Sequence, residues 1–256
     1  MDKDTLFLSS LKNRLIYGVF LIIICAIVLA ATSSAYSGIF GGNGSEKNKI
    51  AVIYVEGQMV ADKSADSPAG SAFSSDVVRS MRAATENPAV KAIVLRVNSP
   101  GGTPVAAEEI ISQINKTNKV KPVVVSMGDM ATSAAYYISS QASRIVANPD
   151  TFTGSIGVIW TFKNKSQAYN ESGVSVYVAK SGNFKDMGSD WRGLTDSEKD
   201  YASAVINESY DRFVENVARG RNLPVDKVRE RAEGRIYTGT AAQKMGLGDD
   251  LGSLYD

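Results

Sequence analysis

PVVVSMGDMATSAAYYISS, residues 122–140, decides how this chain is read. Pro122–Ser126 is an apolar, β-branched run, and small residues with two tyrosines follow from Ser133 to Ser143 as a helical stretch. A short apolar strand passing through a Gly-Asp turn into a helix is the building unit of a parallel α/β sheet. Ser133 falls where the loop becomes helix, so the unspent N–H of Ala134 points at any negative charge forming beside the hydroxyl. That position suits a nucleophile: exposed hydroxyl, adjacent oxyanion donor, small neighbours. A plain N-cap serine would occupy the same place.

The pattern repeats on both sides. Ile50–Glu56 (IAVIYVE), Ala92–Val97 (AIVLRV) and Val174–Ala179 (VSVYVA) are further β-branched runs. Near-continuous apolar strands are what a sheet covered on both faces requires. Helical stretches lie between and after them, at Ser75–Thr85, Pro104–Asn115 and Asp196–Arg219. Thr103-Pro104 pairs an N-cap with a first-turn proline, and Thr195-x-x-Glu198 is a capping box. Alternating strands and helices predict a parallel α/β arrangement. Ala61–Ser71, rich in Ser, Ala, Asp and Gly, reads as a mobile surface loop.

Composition narrows the chemistry. The 256 residues include no histidine and one cysteine, Cys25. No Ser-His-Asp or Cys-His pair, His-ligated metal site or imidazole switch can be built from this chain alone. A single cysteine also excludes an intrachain disulfide and a CxxC redox pair. A net charge of +1 gives no broad basic field, which argues against nucleic acid as partner. An enzyme with this composition does its acid-base work with Lys, Asp, Glu or Tyr.

The N-terminus stands apart from the globule. Residues 1–14 end in Lys12 and Arg14, and Leu15–Ala31 (LIYGVFLIIICAIVLAA) carries no charge. With Thr32–Ala35 the run reaches the roughly 20 residues a membrane span needs. Residues 15–35 are therefore expected to be a transmembrane signal anchor, with the N-terminus cytoplasmic by the positive-inside rule and the bulk of the chain outside. A cleaved signal peptide is the competing reading, with Thr32-Ser33-Ser34-Ala35 as the processing site. Residues 36–49 read as a flexible Gly/Ser linker, and 50–256 as one catalytic-size domain.

Two more segments can carry chemistry. Asn98-Ser99-Pro100-Gly101-Gly102 follows the strand AIVLRV, and its glycines let bare N–H groups line an oxyanion. An ordinary strand-to-helix turn has the same spacing. Ser181-Gly182-Asn183-Phe184-Lys185-Asp186-Met187-Gly188 follows VSVYVA, which puts Lys185 on a strand-exit loop. A lysine base must be neutral, and lowering its pKa from about 10.4 to around 7–8 costs the charged form about 4 kcal/mol. Desolvation beside Phe184 and Met187 could supply this. A solvated lysine paired with Asp186 is the plainer reading.

Together these segments resemble the signal peptide peptidase A family in its short, single-domain form, within the ClpP/crotonase superfamily. The resemblance rests on NSPGG (98–102), GDMATSAAYYISS (128–140), ANPDTFTGSIGVI (147–159) and SGNFKDMGSDWRGLT (181–195). YDRFVENVARGR (210–221) and GRIYTGTAAQKMGLGD (234–249) complete it, six motifs in family order. It implies a ClpP/crotonase-like repeated ββα superhelix with an N-terminal transmembrane helix. It further implies a serine endopeptidase with Ser133 as nucleophile, Lys185 as general base and Ser155 hydrogen-bonding the lysine. Backbone N–H groups of Gly101, Gly102 and Ala134 would form the oxyanion hole, with no metal or cofactor. Ser-Lys chemistry is a recognised variant of triad logic. Ala134-Ala135 stand where the family commonly has glycines; alanine keeps its N–H, while its methyl narrows the approach to the serine. Implied partners are extended apolar peptides, remnants of signal peptides, the membrane, and further copies of the chain in a homo-oligomer whose lysine can serve a neighbour's serine. Alternatives are a membrane-bound ClpP-like protease of a stomatin-type partner, a crotonase-type acyl-CoA enzyme, and an inactive peptide-binding membrane scaffold.

Overall fold

The computed structural model describes residues 48–256. The segment 1–14, the expected anchor at 15–35 and the linker up to residue 47 lie outside the described residues. Among those described, no helix is long and apolar enough to cross a membrane.

The three β-branched runs that precede Ser133 become neighbours in one sheet. Strands β1 (Lys49–Glu56), β4 (Val90–Ser99) and β5 (Val123–Thr132) lie side by side, followed by β6 (Arg144–Ala147) and β9 (Asp250–Leu251), all parallel. β5 forks. Its first half, Val124–Ser126, pairs with β6, whereas Met130–Thr132 pairs with β7 (Phe152–Gly154). β7 in turn takes β8 (Ile236–Thr238) as an antiparallel partner. Two short strands, β2 (Met59–Val60) and β3 (Ala72–Phe73), form a separate parallel pair flanking the exposed Ala61–Ser71 loop.

Strand alternation decides what is buried. Ile93, Leu95 and Val97 on β4, with Val123 and Val125 on β5, point to one face. They share a core cluster with Met81 of helix α1 (Ser74–Glu86) and with Ile110 and Ile114 of α2 (Pro104–Thr117). α2 starts as its sequence requires: the Thr103 side chain accepts the Ala106 N–H and Pro104 takes the first turn. The opposite face is less covered than expected. Ile50, Val52 and Tyr54 on β1 are 62%, 44% and 56% exposed, because helices cover β1 from one side only in the described residues.

Three other elements depart from the sequence reading. The strand expected at Pro122–Ser126 runs on through the expected loop to Thr132, because Met130–Thr132 find a ladder partner in Phe152–Gly154. Residues 174–180 form no strand; they are exposed throughout, and Val174 and Tyr177 are 46% and 92% accessible. β-Branched propensity cannot make a strand without a backbone partner, and β5 already has β4, β6 and β7 beside it. The helix expected over Ser133–Ser143 is shorter, α3 spanning Ala134–Ser139. Ser139 and Ser140 turn their hydroxyls back onto the Ala135 and Tyr137 carbonyls, which competes with helix continuation.

The remaining helices are α4 (Ser166–Glu171), α5 (Asp196–Arg221), α6 (Val225–Arg229) and α7 (Gly239–Lys244). α5 opens on the expected capping box, Thr195 accepting the Glu198 N–H while Glu198 accepts the Thr195 N–H. It ends at Asn222 in the left-handed region.

The fully buried Leu95 and the half-exposed Val52 make a testable contrast. Leu95→Ala is expected to cost about 2–5 kcal/mol in urea-induced unfolding, whereas Val52→Ala should cost under about 1 kcal/mol.

Candidate active site

Three backbone segments meet at Ser133: the β5–α3 junction itself, the Gly154 turn and the NSPGG turn. Ser133 sits between the end of β5 and the start of α3 with φ 53° and ψ −124°, a conformation that a residue with a Cβ rarely holds. Such strain costs about 1–3 kcal/mol and must be paid by surrounding contacts. The contacts are present. The Ser133 N–H donates to the Gly154 carbonyl at 2.8 Å, and the Ser133 carbonyl accepts the Tyr137 N–H at 2.9 Å.

The NSPGG turn closes over the same spot. A Cβ on Gly101 would lie 2.9 Å from the Ser133 Cβ, the Ala134 nitrogen and the Thr132 oxygen. A Cβ on Gly102 would stand 1.9 Å from the Met59 carbonyl oxygen. Only glycines allow this approach, which the turn needs in order to reach the head of α3. Thr132 Oγ1 donates to the Pro100 carbonyl at 3.0 Å and the Met130 N–H to Asn98 Oδ1 at 3.2 Å, so turn and strand exit are tied side by side.

The N–H groups of this turn are not equivalent. Gly101 donates to the buried Ser99 Oγ at 3.1 Å. The N–H groups of Gly102 and Ala134 have no acceptor among the described residues, and both residues line the cleft with Ser133. Two unspent donors flanking one hydroxyl can hold an oxyanion. Ser155 lines the same cleft, with φ 51° and its N–H donated to the Arg235 carbonyl at 2.7 Å. The expected residues Ser133, Ser155, Gly101, Gly102 and Ala134 are thus together.

Lys185 is not with them. It is exposed and not among the residues lining the cleft. The strand expected to carry it to the sheet edge is absent, so its loop stands off the sheet. Asp186, its sequence neighbour, is committed elsewhere: it accepts from Lys180 at 2.6 Å and from two nitrogens of Arg192 at 2.7 and 3.0 Å. Arg192 also grips Glu198 at 2.6 and 2.8 Å. These bonds, the Arg192 one foremost, hold the Asp186 carboxyl well below the usual carboxylate range. Arg192 and the Thr195 N–H likewise lower Glu198 to about 2.

The cleft measures about 1520 Å³ and runs from Ser133 between α2 and α5. Its floor beside the serine went unnoticed in the sequence. Tyr137, one turn beyond Ser133, packs its ring at a tilt against Phe213, centroids 4.4 Å apart, donates its hydroxyl to Glu108 and accepts from Asn216. Burial first, then the Glu108 bond, push its phenol far above the ordinary value, so it is held protonated. The i, i+4 spacing from Ser133 was the available signal.

A parallel α/β protein with a serine-centred cleft at its strand exits is the class that fold and site define. The chain belongs to peptidase family S49, whose sequence profile matches residues 115–256. Protease 4 of Haemophilus influenzae is 38% identical over 208 residues, 81% of this chain and 33% of that protein. A candidate protease of Synechocystis sp. is 43% identical over 165 residues, 64% of this chain and 60% of its own length. The chloroplastic serine protease SPPA of Arabidopsis thaliana is 32% identical over 219 residues, covering 85% of this chain and 32% of that one. The chain therefore spans between about a third and three fifths of the length of these relatives.

Two outcomes follow for the site. Gly102→Ala should lower labelling of Ser133 by a fluorophosphonate probe at least about tenfold, because either the turn or Met59 must move. Glu198 has its carboxyl lowered from 4.5 to about 2, so its stabilising effect is complete above about pH 4.5 and is lost as pH falls toward 2. Acid unfolding followed by circular dichroism should be less steep over that window in Glu198→Gln.

Proposed function

We propose that the chain is a membrane-anchored serine endopeptidase that degrades remnant signal peptides, working through a Ser133/Lys185 dyad. The observation that carries this reading is Ser133 itself: a strained serine at the head of a long cleft, flanked by the unspent N–H groups of Gly102 and Ala134. Membership of a peptidase family supports the reaction class.

In the proposed reaction, neutral Lys185 takes the Ser133 hydroxyl proton as Oγ attacks a peptide carbonyl. The carbonyl π-electrons move onto oxygen, and the Gly102 and Ala134 N–H groups donate hydrogen bonds to the oxyanion so formed; one such donor is worth about 3–4 kcal/mol. The lysine ammonium then protonates the departing amine. Water, deprotonated by the same lysine, attacks the acyl carbonyl; the ester C–O bond then breaks, the ammonium returns its proton to Ser133 Oγ, and the acid leaves. The Ser155 hydroxyl would accept a hydrogen bond from the lysine ammonium while that ammonium is charged. Strain at Ser133 serves this sequence by pre-aiming the hydroxyl.

Lys185 reaches Ser133 of a neighbouring copy in this reading, not of its own chain. Its exposed loop and the uncovered apolar residues of 174–178 support a homo-oligomer. The parallel strands and the forked β5 support the repeated ββα superhelix. The charge-free run at 15–35 supports a single-pass anchor in the cell membrane, N-terminus cytoplasmic and the domain on the far side. An open cleft with apolar walls such as Val105 and Phe213 suits extended apolar peptides.

Ser133→Ala is expected to abolish fluorophosphonate labelling, and Lys185→Ala to lower kcat/KM at neutral pH by about 10²–10⁴, the range of general-base effects. Mixing the two inactive variants should restore part of the activity. Labelling of Ser133→Ala at the wild-type rate would remove the nucleophile assignment, and a mixture that stays inactive would remove the shared site.

A further inference from the structure

Asp186 is the carboxylate that the sequence places best to neutralise Lys185, and the fold turns it away. Its Oδ1 accepts from Lys180 Nζ at 2.6 Å and from Arg192 Nη2 at 2.7 Å, and its Oδ2 accepts from Arg192 Nε at 3.0 Å. The far edge of the same guanidinium binds both oxygens of Glu198, whose side chain is 3% exposed and is also held by the Thr195 N–H. One planar group thus clamps the Lys185 loop onto the first turn of α5 through two carboxylates. Arginine alone has the two-edged fork for this geometry. Lys185, by contrast, makes no side-chain hydrogen bond or ion pair among the described residues.

We infer that Arg192 is a positioning residue for Lys185, holding Asp186 away from an ammonium that must lose its proton to act as a base. This rests on the reading of Lys185 as general base. The electrostatics are direct. Lys180, Asp186, Arg192 and Glu198 together carry two positive and two negative charges, so the clamp presents no net charge to its neighbour. Further along the same loop, Asp190 pairs with Lys165 at 2.7 Å, a second compensated pair, and α5 contributes the Tyr201 ring against Phe184. Without Arg192, Asp186 loses two of its three bonds, keeps only the one from Lys180, and its Oδ2 is open to turn toward Lys185. A carboxylate within about 4–6 Å raises a lysine pKa by about one unit or more, and each unit leaves tenfold less neutral lysine at pH 7. Local turns also tie the loop backbone: the Ser189 N–H donates to the Asp186 carbonyl at 3.2 Å and the Lys185 N–H to the Gly182 carbonyl at 3.3 Å.

The test separates clamping of the fold from screening of the lysine. In the full-length protein, Arg192→Gln should move the acid limb of the kcat/KM profile up by about one pH unit, lowering the rate at pH 7 about tenfold. Adding Asp186→Asn to that variant should bring the limb back and restore the rate to within about threefold of wild type. A double variant as slow as Arg192→Gln, with the limb unmoved, would overturn the inference and leave Arg192 a purely structural anchor. If Arg192→Gln does not fold, Lys180→Met releases one bond to Asp186. It should shift the limb in the same direction, and Asp186→Asn should cancel that shift; an unmoved limb overturns the inference here too. Lys185→Met keeping the wild-type rate at neutral pH would instead show that the general-base reading failed, a result independent of the Arg192 series.

Discussion

The close approach of the Gly101-Gly102 turn to the head of α3 is the constraint on which the site depends. Ser133 adopts a backbone conformation that no isolated serine would keep, and contacts from two outside segments, the Gly154 turn and the NSPGG turn, hold it there. Gly154 supplies the carbonyl for its N–H, Pro100 accepts from the preceding threonine, and Gly101 packs against its Cβ with no side chain of its own. Those segments are brought together by the parallel order β4-β5-β7, which places the exits of all three strands at one edge. Parallel sheets gather their functional loops at the carboxyl ends of the strands, and this chain follows that rule.

Hydrogen-bond accounting divides the turn in a way that spacing cannot. Gly101 and Gly102 are adjacent and chemically identical, yet Gly101 spends its N–H on the buried Ser99 hydroxyl while that of Gly102 stays open to the cleft. A buried donor has to be satisfied, so the inward-facing glycine serves the fold and its neighbour is left for chemistry. Tyr137 shows the same division. Its ring forms part of the cleft floor, but its hydroxyl is already committed to Glu108 and Asn216, which removes it as a proton acceptor.

The charged loop after residue 180 obeys a different physics from the apolar site. Glu198 is both the capping-box residue of α5 and the buried end of a chain of ion pairs running through Arg192 to Asp186. An ion so buried survives only when its partners are well placed. Arg192 meets that demand for Glu198 and in doing so sets where Asp186 can go. Helix capping, loop anchoring and the surroundings of Lys185 are thereby coupled in one network.

Much of this was legible in the residues alone. β1, β4, α1, α2 and α5 stand within a few residues of where their apolar periodicity and caps put them, since those signals are local; β5 starts as expected but runs on to Thr132. The absence of histidine and the motifs around Ser133 pointed to the cleft residues that the fold assembles. Three matters needed the tertiary structure. VSVYVA has strand composition but no ladder partner, because pairing depends on which edges remain free and not on propensity. Asp186 pairs with Arg192 and Lys180 in preference to Lys185, because side-chain partners are chosen by geometry across a loop and not by adjacency. Lys185 stands apart from the serine of its own chain for the same reason: sequence names the groups, and only the path of the backbone decides which of them meet.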